Sequence, residues 1–125
     1  RGGEKVIDVG TGSGVLSIAA KAMGADTVYA YDIDEIATRV SKENIAYNAY
    51  ASDVIVKENN LLVGIADQEA DIIVANILAE ILLLLLPDAY KNLKDDGYFI
   101  LSGIIESKKA ELIAALISNG FEIEH

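Results

Sequence analysis

The most specific chemical signal in the sequence is a glycine-rich segment, residues 8–14, with the sequence Asp-Val-Gly-Thr-Gly-Ser-Gly. It follows a short β-branched run and precedes apolar residues at helical spacing, so the pattern predicts a strand, a tight loop and a helix. Glycines in such a loop allow positive φ angles and close approach to a ligand, while the helix N-terminus offers free N–H groups. The segment is typical of a nucleotide-type cofactor site, although a turn that serves only chain geometry is the alternative. The candidate binding residues are Asp8, Gly10, Thr11, Gly12 and Gly14.

The spacing of these glycines differs from the dinucleotide fingerprint. G-x-G-x-x-G would place its third glycine at position 15, which is Val15, so this loop is G-x-G-x-G instead. We expect Asp8 at the mouth of the loop, where its charge would repel a pyrophosphate and attract a ligand that carries an ammonium and a sulfonium. S-adenosylmethionine has both groups. The loop therefore favours S-adenosylmethionine over NAD, and a nicotinamide-dependent oxidoreductase is the disfavoured rival.

Three polar residues follow the next predicted strands. Asp32 ends the second strand, where a carboxylate can accept hydrogen bonds from both ribose hydroxyls of an adenosine. Asp34 precedes a helical pattern and is assigned as its N-cap. Asn60 follows the third strand, where its amide could pair with an adenine edge, and an Asx-turn is the equal alternative.

Asn76 defines a second chemical position, at the end of the predicted strand Asp71–Ala75. Ligands bind at the carboxyl ends of strands in open α/β sheets, so Asn76 should face the cofactor cleft. Its side-chain oxygen could accept a hydrogen bond from an amine and orient the nitrogen toward an electrophilic methyl. Asn76 is thus the candidate catalytic residue, and a role as N-cap of the following helix is the alternative.

Composition excludes several other kinds of chemistry. The 125 residues contain no Cys and one His, at the last position, which leaves no thiolate or His-based metal cluster. The formal net charge of −10 gives a field that repels polyanions, so we expect no direct nucleic acid binding by this domain.

The longest apolar stretch, Ile77–Leu86, is interrupted by Glu80 and is too short for the roughly 20 residues of a membrane span. No signal peptide pattern precedes the first strand, and a cytoplasmic setting is expected. The oligomeric state is not indicated.

Strand and helix patterns alternate along the whole chain, which predicts one doubly wound, Rossmann-like α/β domain over residues 1–125, with a mostly parallel sheet and helices on both faces. Pro87 falls inside the helix predicted over Ile77–Tyr90 and should kink or end it. A last strand is predicted to open at Phe121. Because the chain begins just before one strand and stops within another, we expect a fragment of a longer protein. The predicted strands are Val6–Val9, Thr27–Tyr31, Asp53–Lys57, Asp71–Ala75 and Gly97–Ser102, and the remaining helices start near Val15, Asp34 and Ser107.

Four segments resemble Rossmann-like S-adenosylmethionine-dependent methyltransferases: Val6–Ala20, Tyr31–Asp34, Val74–Ala79 and Leu101–Ile104. Among these enzymes, the Asn-Ile-Leu-Ala and Leu-Ser-Gly-Ile segments are most similar to the bacterial family that methylates ribosomal large-subunit protein eleven. The resemblance implies that residues 8–14 hold the methionine end of the cofactor, Asp32 the ribose and Asn76 the target nitrogen. Asn60 stands where related enzymes usually have an acidic residue.

The resemblance also implies an activity: transfer of a methyl group to neutral lysine or α-amino nitrogens of a basic ribosomal protein. The family's N-terminal recognition domain and final strands have no counterpart in these 125 residues. Ile77-Leu78-Ala79 lacks the prolines and aromatic ring of the Asn-Pro-Pro-Tyr segment that many amine and amide methyltransferases have. Two alternatives therefore remain, a small-molecule methyltransferase and a non-catalytic S-adenosylmethionine-binding module.

Overall fold

A five-stranded parallel sheet forms the centre of the protein in a computed structural model that describes residues 3–51, 53–102, 104 and 106–123. The strand order is β3-β2-β1-β4-β5, so β1 is central, and β3 and β5 are the outermost described strands. The strands are β1 (Lys5–Val9), β2 (Thr27–Asp32), β3 (Ile55–Glu58), β4 (Ala70–Ala75) and β5 (Leu93–Leu101). The helices are α1 (Val15–Ala22), α2 (Glu35–Ala46), α3 (Ala79–Asn92) and α4 (Glu106–Ser118), and a short 3-10 helix spans Ala49–Ala51.

Helices cover both faces of this sheet. Side chains alternate between the faces along each strand, so both faces present apolar side chains that pack against helices. On one face, Val6 and Val28 pack with Ile45 of α2 and Ile18 of α1. On the other face, the sheet packs against α3 and α4 through a larger cluster that includes Ile7, Ile73, Leu82, Leu85, Leu86, Leu112 and Leu116. The doubly wound α/β fold predicted from the alternation of elements is confirmed.

The predicted helix around Pro87 differs from the structure in two ways. It begins at Ala79 instead of Ile77, and it continues beyond Pro87 to Asn92. Leu82, Leu85 and Leu86 before Pro87 and Ala89 after it are buried in the core, which holds the helix across the missing N–H. Asn92 stabilises the end of this helix, because its side-chain amide donates to the carbonyls of Asp88, at 2.8 Å, and Ile65, at 2.9 Å.

The last two strand predictions also need correction. β5 begins at Leu93, four residues before the predicted start, and its pairing with β4 shifts register between Ala70 and Ile72. The predicted strand from Phe121 is wrong over 121–123, whereas residues 124 and 125 lie outside the described part. The N–H of Phe121 donates instead to the carbonyl of Leu116, at 3.1 Å, and its ring packs against Tyr90 and Phe99.

Candidate functional site

The sequence-predicted site residues converge at one edge of the sheet, where the parallel strands end. Val9 of β1 pairs with Tyr31 of β2 and with Ala75 of β4, so the three strands end nearly level. The glycine loop leaves β1 between Asp32 at the end of β2 and Asn76 just after β4. Since the chain winds outward in opposite directions from β1 and β4, a crevice opens at this switch point, which is the usual ligand position in such sheets.

The glycine loop has a conformation that requires glycine. Gly10, Gly12 and Gly14 have φ angles of 73°, 59° and 84°, in the left-handed region that other residues avoid. The carbonyl of Tyr31 accepts hydrogen bonds from the N–H groups of Gly10, at 2.8 Å, and Thr11, at 3.0 Å. The loop is therefore anchored to β2 as well as to its own strand.

Gly10 also allows the segment after β4 to approach the loop. A Cβ placed on Gly10 would lie 2.7 Å from Cγ2 of Ile77, closer than carbon atoms pack. Ile77 directly follows Asn76, so this contact sets the start of the β4 exit against the start of the loop. No comparable contact surrounds Gly12, where a Cβ would meet no heavy atom of the described residues within 4 Å.

Asp8 lies inside the loop, not at its mouth as expected from the sequence. Its side chain faces α1 and is 1% exposed, and its Oδ2 accepts from Thr11 Oγ1, at 2.9 Å, and Ser17 Oγ, at 2.8 Å. Burial raises the pKa of Asp8 above its ordinary value, hydrogen bonds from Ser17 and Thr11 oppose this shift, and the charge of Asp32 adds to it. Asp8 thus organises the loop from within, and the expected repulsion of a pyrophosphate loses its geometric basis. A direct contact between Asp8 and the cofactor stays a prediction.

Asp32 occupies the position that the sequence predicts for it, at the mouth of the crevice. Its Oδ2 accepts from the N–H of Gly12, at 3.0 Å, and its Oδ1 accepts from the N–H of Asp34, at 2.9 Å. The carboxylate therefore joins the glycine loop to the start of α2. The predicted N-cap is confirmed, because Asp34 Oδ1 accepts from the N–H of Ile36 at 2.9 Å.

Asn60 and Asn76 are both exposed residues of this edge. The carbonyl of Asn60 accepts from the N–H of Val63, whereas Asn59 bonds locally through its side-chain amide to the carbonyls of Leu61 and Val63. Asn76 does not cap α3, since that helix begins at Ala79 with Leu78 as N-cap. The alternative role for Asn76 is thus wrong, and the predicted roles of both side chains toward ligands stay predictions.

Three polar residues that shape the loop were missed by sequence reasoning. Ser17 of α1 bonds Asp8, while Ser41 and Asn44 of α2 bond carbonyls of the loop. Ser17 and Ser41 are fully buried. The available signal was a small polar residue on a helix face where an apolar one is expected.

The described part of the chain contains no group of three His, Cys, Asp or Glu side chains that could hold a metal ion. Within the same residues, no helix has the length and apolar character needed to cross a membrane.

The fold and this site define a Rossmann-like α/β domain that brings a glycine loop and a strand-ending acid to the switch-point crevice, where ligands bind in sheets of this kind. The chain is 58% identical over 124 residues to the ribosomal protein L11 methyltransferase of Enterococcus faecalis and 57% identical to that of Streptococcus pyogenes serotype M5. It belongs to the ribosomal protein L11 methyltransferase (PrmA) family, whose model matches residues 1–125. Both alignments cover 99% of this chain but 39% of the relative, so the chain spans about two-fifths of these curated proteins.

Solved structures agree with this assignment. The ribosomal protein L11 methylase of Lactobacillus delbrueckii subsp. bulgaricus superposes with a TM-score of 0.93 at 42% identity, over 98% of this chain and 63% of that one. The phosphoethanolamine N-methyltransferase 1 of Haemonchus contortus, solved with S-adenosylhomocysteine, has a TM-score of 0.68 at 20% identity, over 80% of this chain and 22% of that one. The second likeness concerns the fold alone.

Proposed function

We propose that this chain is the catalytic core of an S-adenosylmethionine-dependent N-methyltransferase that modifies lysine or α-amino nitrogens of a ribosomal protein. The observation that carries the proposal is the junction of the glycine loop, Asp32 and Asn76 at one crevice, in a chain of the PrmA family. The names of the relatives support ribosomal protein L11 as substrate. A chain with a net charge of −10 is suited to a basic protein partner. A ribosomal protein as substrate would place the enzyme in the cytoplasm, where ribosomes work.

The geometry of the loop fits a cofactor of this kind. The open space above Gly12 gives a ligand access to the backbone, and the N-cap of α1 is Gly14, which has no side chain that could accept from the first N–H groups of the helix. The first N–H groups of a helix favour polar and anionic ligand groups, such as a carboxylate of a methionine moiety. Under the proposal, Gly10, Thr11, Gly12 and Gly14 hold that moiety, with Asp8 fixing the loop.

The remaining cofactor contacts fall to neighbouring strand ends. Asp32 would accept hydrogen bonds from the ribose hydroxyls, for which its carboxylate must exchange or share the N–H partners that it has at Gly12 and Asp34. Asn60 would lie beside the adenine, since the N–H of Asn59 donates to the carbonyl of Asp32 at 2.9 Å and holds the β3 exit next to β2.

S-adenosylmethionine, when bound, supplies a methyl group that its sulfonium already makes electrophilic. The work left to the protein is therefore positioning and removal of water. Asn76 is exposed and directly follows Ala75, the β4 residue that pairs with Val9 just before the glycine loop, and its amide oxygen can accept a hydrogen bond from the incoming amine. That bond would direct the nitrogen lone pair, provided that the amine is neutral, which for lysine requires loss of a proton with a reference pKa of about 10.4.

Calorimetric titration of the chain tests the cofactor first. We expect S-adenosylhomocysteine and S-adenosylmethionine to bind more tightly than NAD, because the glycine spacing does not match the dinucleotide fingerprint. Tighter binding of NAD, or no binding of either adenosyl compound, would overturn the proposal. Incubation with S-adenosylmethionine and purified ribosomal protein L11, followed by mass spectrometry, then tests transfer. A chain that binds the cofactor and leaves the amines unmodified would support the non-catalytic alternative.

A further inference from the structure

We propose that Ser41 and Asn44 of α2 are positioning residues that hold the glycine loop in the conformation that receives the cofactor. The inference rests on the proposed cofactor site. It adds to that site two side chains that need not touch the ligand. We call the pair, with its two hydrogen bonds to the loop, the α2 clamp.

The clamp consists of two short hydrogen bonds to consecutive carbonyls of the loop. Ser41 Oγ donates to the carbonyl of Gly12 at 2.7 Å, and Asn44 Nδ2 donates to the carbonyl of Ser13 at 2.7 Å. Residues three apart lie on the same side of a helix, so both donors come from one face of α2. The next residue of the loop, Gly14, lies so near α2 that a Cβ on it would be 3.3 Å from Cα and Cβ of Ser41. The tip of the loop thus rests directly on this helix.

These two bonds fix the orientation of peptide planes as well as the position of the loop. In a trans peptide the C=O and the following N–H point in opposite directions. Turning the carbonyl of Gly12 toward Ser41 therefore turns the N–H of Ser13 away from α2. The same argument applies to the carbonyl of Ser13 and the N–H of Gly14, which donates back to the carbonyl of Thr11 at 3.0 Å. The clamp consequently sets which backbone donors the loop can offer.

The position of α2 is coupled to the other cofactor contact. Asp34 caps α2, and the N–H of Asp34 donates to Asp32, whose other oxygen accepts from Gly12. The helix is therefore joined to the strand-ending acid at its first turn and to the loop in its middle. Loss of the clamp leaves the loop with fewer restraints on its outer side, and affinity falls with the fraction of molecules that retain the competent conformation.

Three substitutions separate positioning from simple stability. Ser41→Ala and Asn44→Ala each remove one clamp bond, and Asn44→Asp keeps the side-chain shape but replaces the donor by an acceptor that repels the carbonyl of Ser13. The matched control is Asn119→Ala, because Asn119 Nδ2 donates to a backbone carbonyl, that of Ala115, at 2.8 Å on α4. A second control for the hydroxyl is Thr38→Val, since Thr38 bonds the carbonyl of Glu35 within α2 itself.

The measurements are the Kd of S-adenosylhomocysteine by calorimetry and amide hydrogen exchange of residues 12–16 without ligand. We expect about two- to five-fold weaker binding for each alanine variant of the clamp and about ten-fold or more for the double variant. Asn44→Asp should bind no better than Asn44→Ala. Loop amides should exchange faster in the clamp variants than in wild type, while both controls keep wild-type affinity and wild-type loop exchange.

The outcomes distinguish this inference from the function on which it rests. If wild type fails to bind S-adenosylhomocysteine, the proposed function fails, and loop exchange in the free variants still decides whether the clamp restrains the loop. If wild type binds and the clamp variants match it in affinity and loop exchange, the inference is overturned. The inference would also be overturned if the control variants bound S-adenosylhomocysteine as weakly as the clamp variants, because the loss of affinity would then follow from lower stability instead of from the position of the loop. Asn44 keeps the test valid should Ser41→Ala fail to fold, since the Asn44 bond is exposed.

Discussion

Alanine substitutions at Gly10 and Gly12 should have different costs, although both residues have positive φ angles. An alanine held in the left-handed region lowers the free energy of unfolding by about 1–2 kcal/mol. Because alanine also restricts the unfolded chain more than glycine does, about 0.4–1 kcal/mol of this loss is recovered. For Gly12→Ala, where a Cβ meets nothing within 4 Å in the described structure, this leaves a net loss of about 1 kcal/mol. For Gly10→Ala, the 2.7 Å approach to Ile77 Cγ2 adds an overpacking cost of about 1–3 kcal/mol.

Urea denaturation of the two variants and wild type measures this difference directly. We expect Gly10→Ala to lose about 2–4 kcal/mol of unfolding free energy and Gly12→Ala about 1 kcal/mol. In a chain of this size each kcal/mol lowers Tm by about 4 °C, so thermal unfolding gives an independent check. Gly3→Ala is the control for the backbone cost alone, since Gly3 has a φ of 84° with no atom near its Cβ position and lies before β1, away from the crevice.

For ligand affinity we expect the opposite order, with the larger effect in Gly12→Ala. A Cβ on Gly12 projects into the open space that the proposed cofactor would fill, so Gly12→Ala should weaken S-adenosylhomocysteine binding more than its small loss of stability suggests. Equal destabilisation by Gly10→Ala and Gly12→Ala would refute the packing of the β4 exit on the loop. Unchanged affinity in Gly12→Ala would refute the role of the open side of the loop.

Three further predictions concern charged and amide side chains. Asp32→Ala should weaken S-adenosylhomocysteine binding by roughly 1–3 kcal/mol in calorimetry, whereas Asp34→Ala should lose about 1 kcal/mol of stability as a lost N-cap and keep its affinity. Since the pKa of Asp8 is raised in the folded state, that state retains the proton to higher pH than the unfolded state, and ionisation opposes folding. Asp8→Asn should therefore gain stability relative to wild type in urea titrations as pH rises above about 4, the ordinary pKa of an aspartate, and a difference that is constant with pH would contradict this. Asn76→Ala should lower kcat of methyl transfer roughly ten- to a hundred-fold with little change in cofactor Kd, and normal turnover would remove Asn76 from the reaction.

The fold was predictable because the strongest local patterns and the global packing agree. The alternation of β-branched strands with amphipathic helices predicted the parallel sheet, and Asp34 was identified as an N-cap from the helix pattern behind it. The failures lie where tertiary contacts outweigh local rules. Pro87 does not end α3 because buried residues lie on both sides of it, and Phe121 leaves the strand pattern because its ring packs on Tyr90 and Phe99.

The site was predictable in position but not in the direction of every side chain. Topology places Asp32, the glycine loop and Asn76 at one edge of the sheet, and this follows from strand order alone. Whether Asp8 faces the ligand or the protein interior depends on which face of β1 it occupies and on Ser17, which is nine residues further along the chain. Ser41 lies 29 residues from the carbonyl that it bonds, so a small polar residue on the inner face of α2 signals a buried hydrogen bond but does not indicate which carbonyl accepts it.

The pairing of β1 with β4 has a consequence for how the protein folds. Val6 pairs with Ile72, so the two strands that flank the crevice are joined only after a loop of more than sixty residues has closed. Contacts at such a sequence separation form slowly, because the entropy of closing the chain is lost before the contacts are gained. The β1-loop-α1-β2 unit can form early, but Asn76 and Ile77 reach Gly10 only when the β1–β4 pair is made. We therefore expect S-adenosylhomocysteine to be captured in the slowest phase of refolding, which stopped-flow measurements of far-ultraviolet circular dichroism and ligand binding on the same chain can compare.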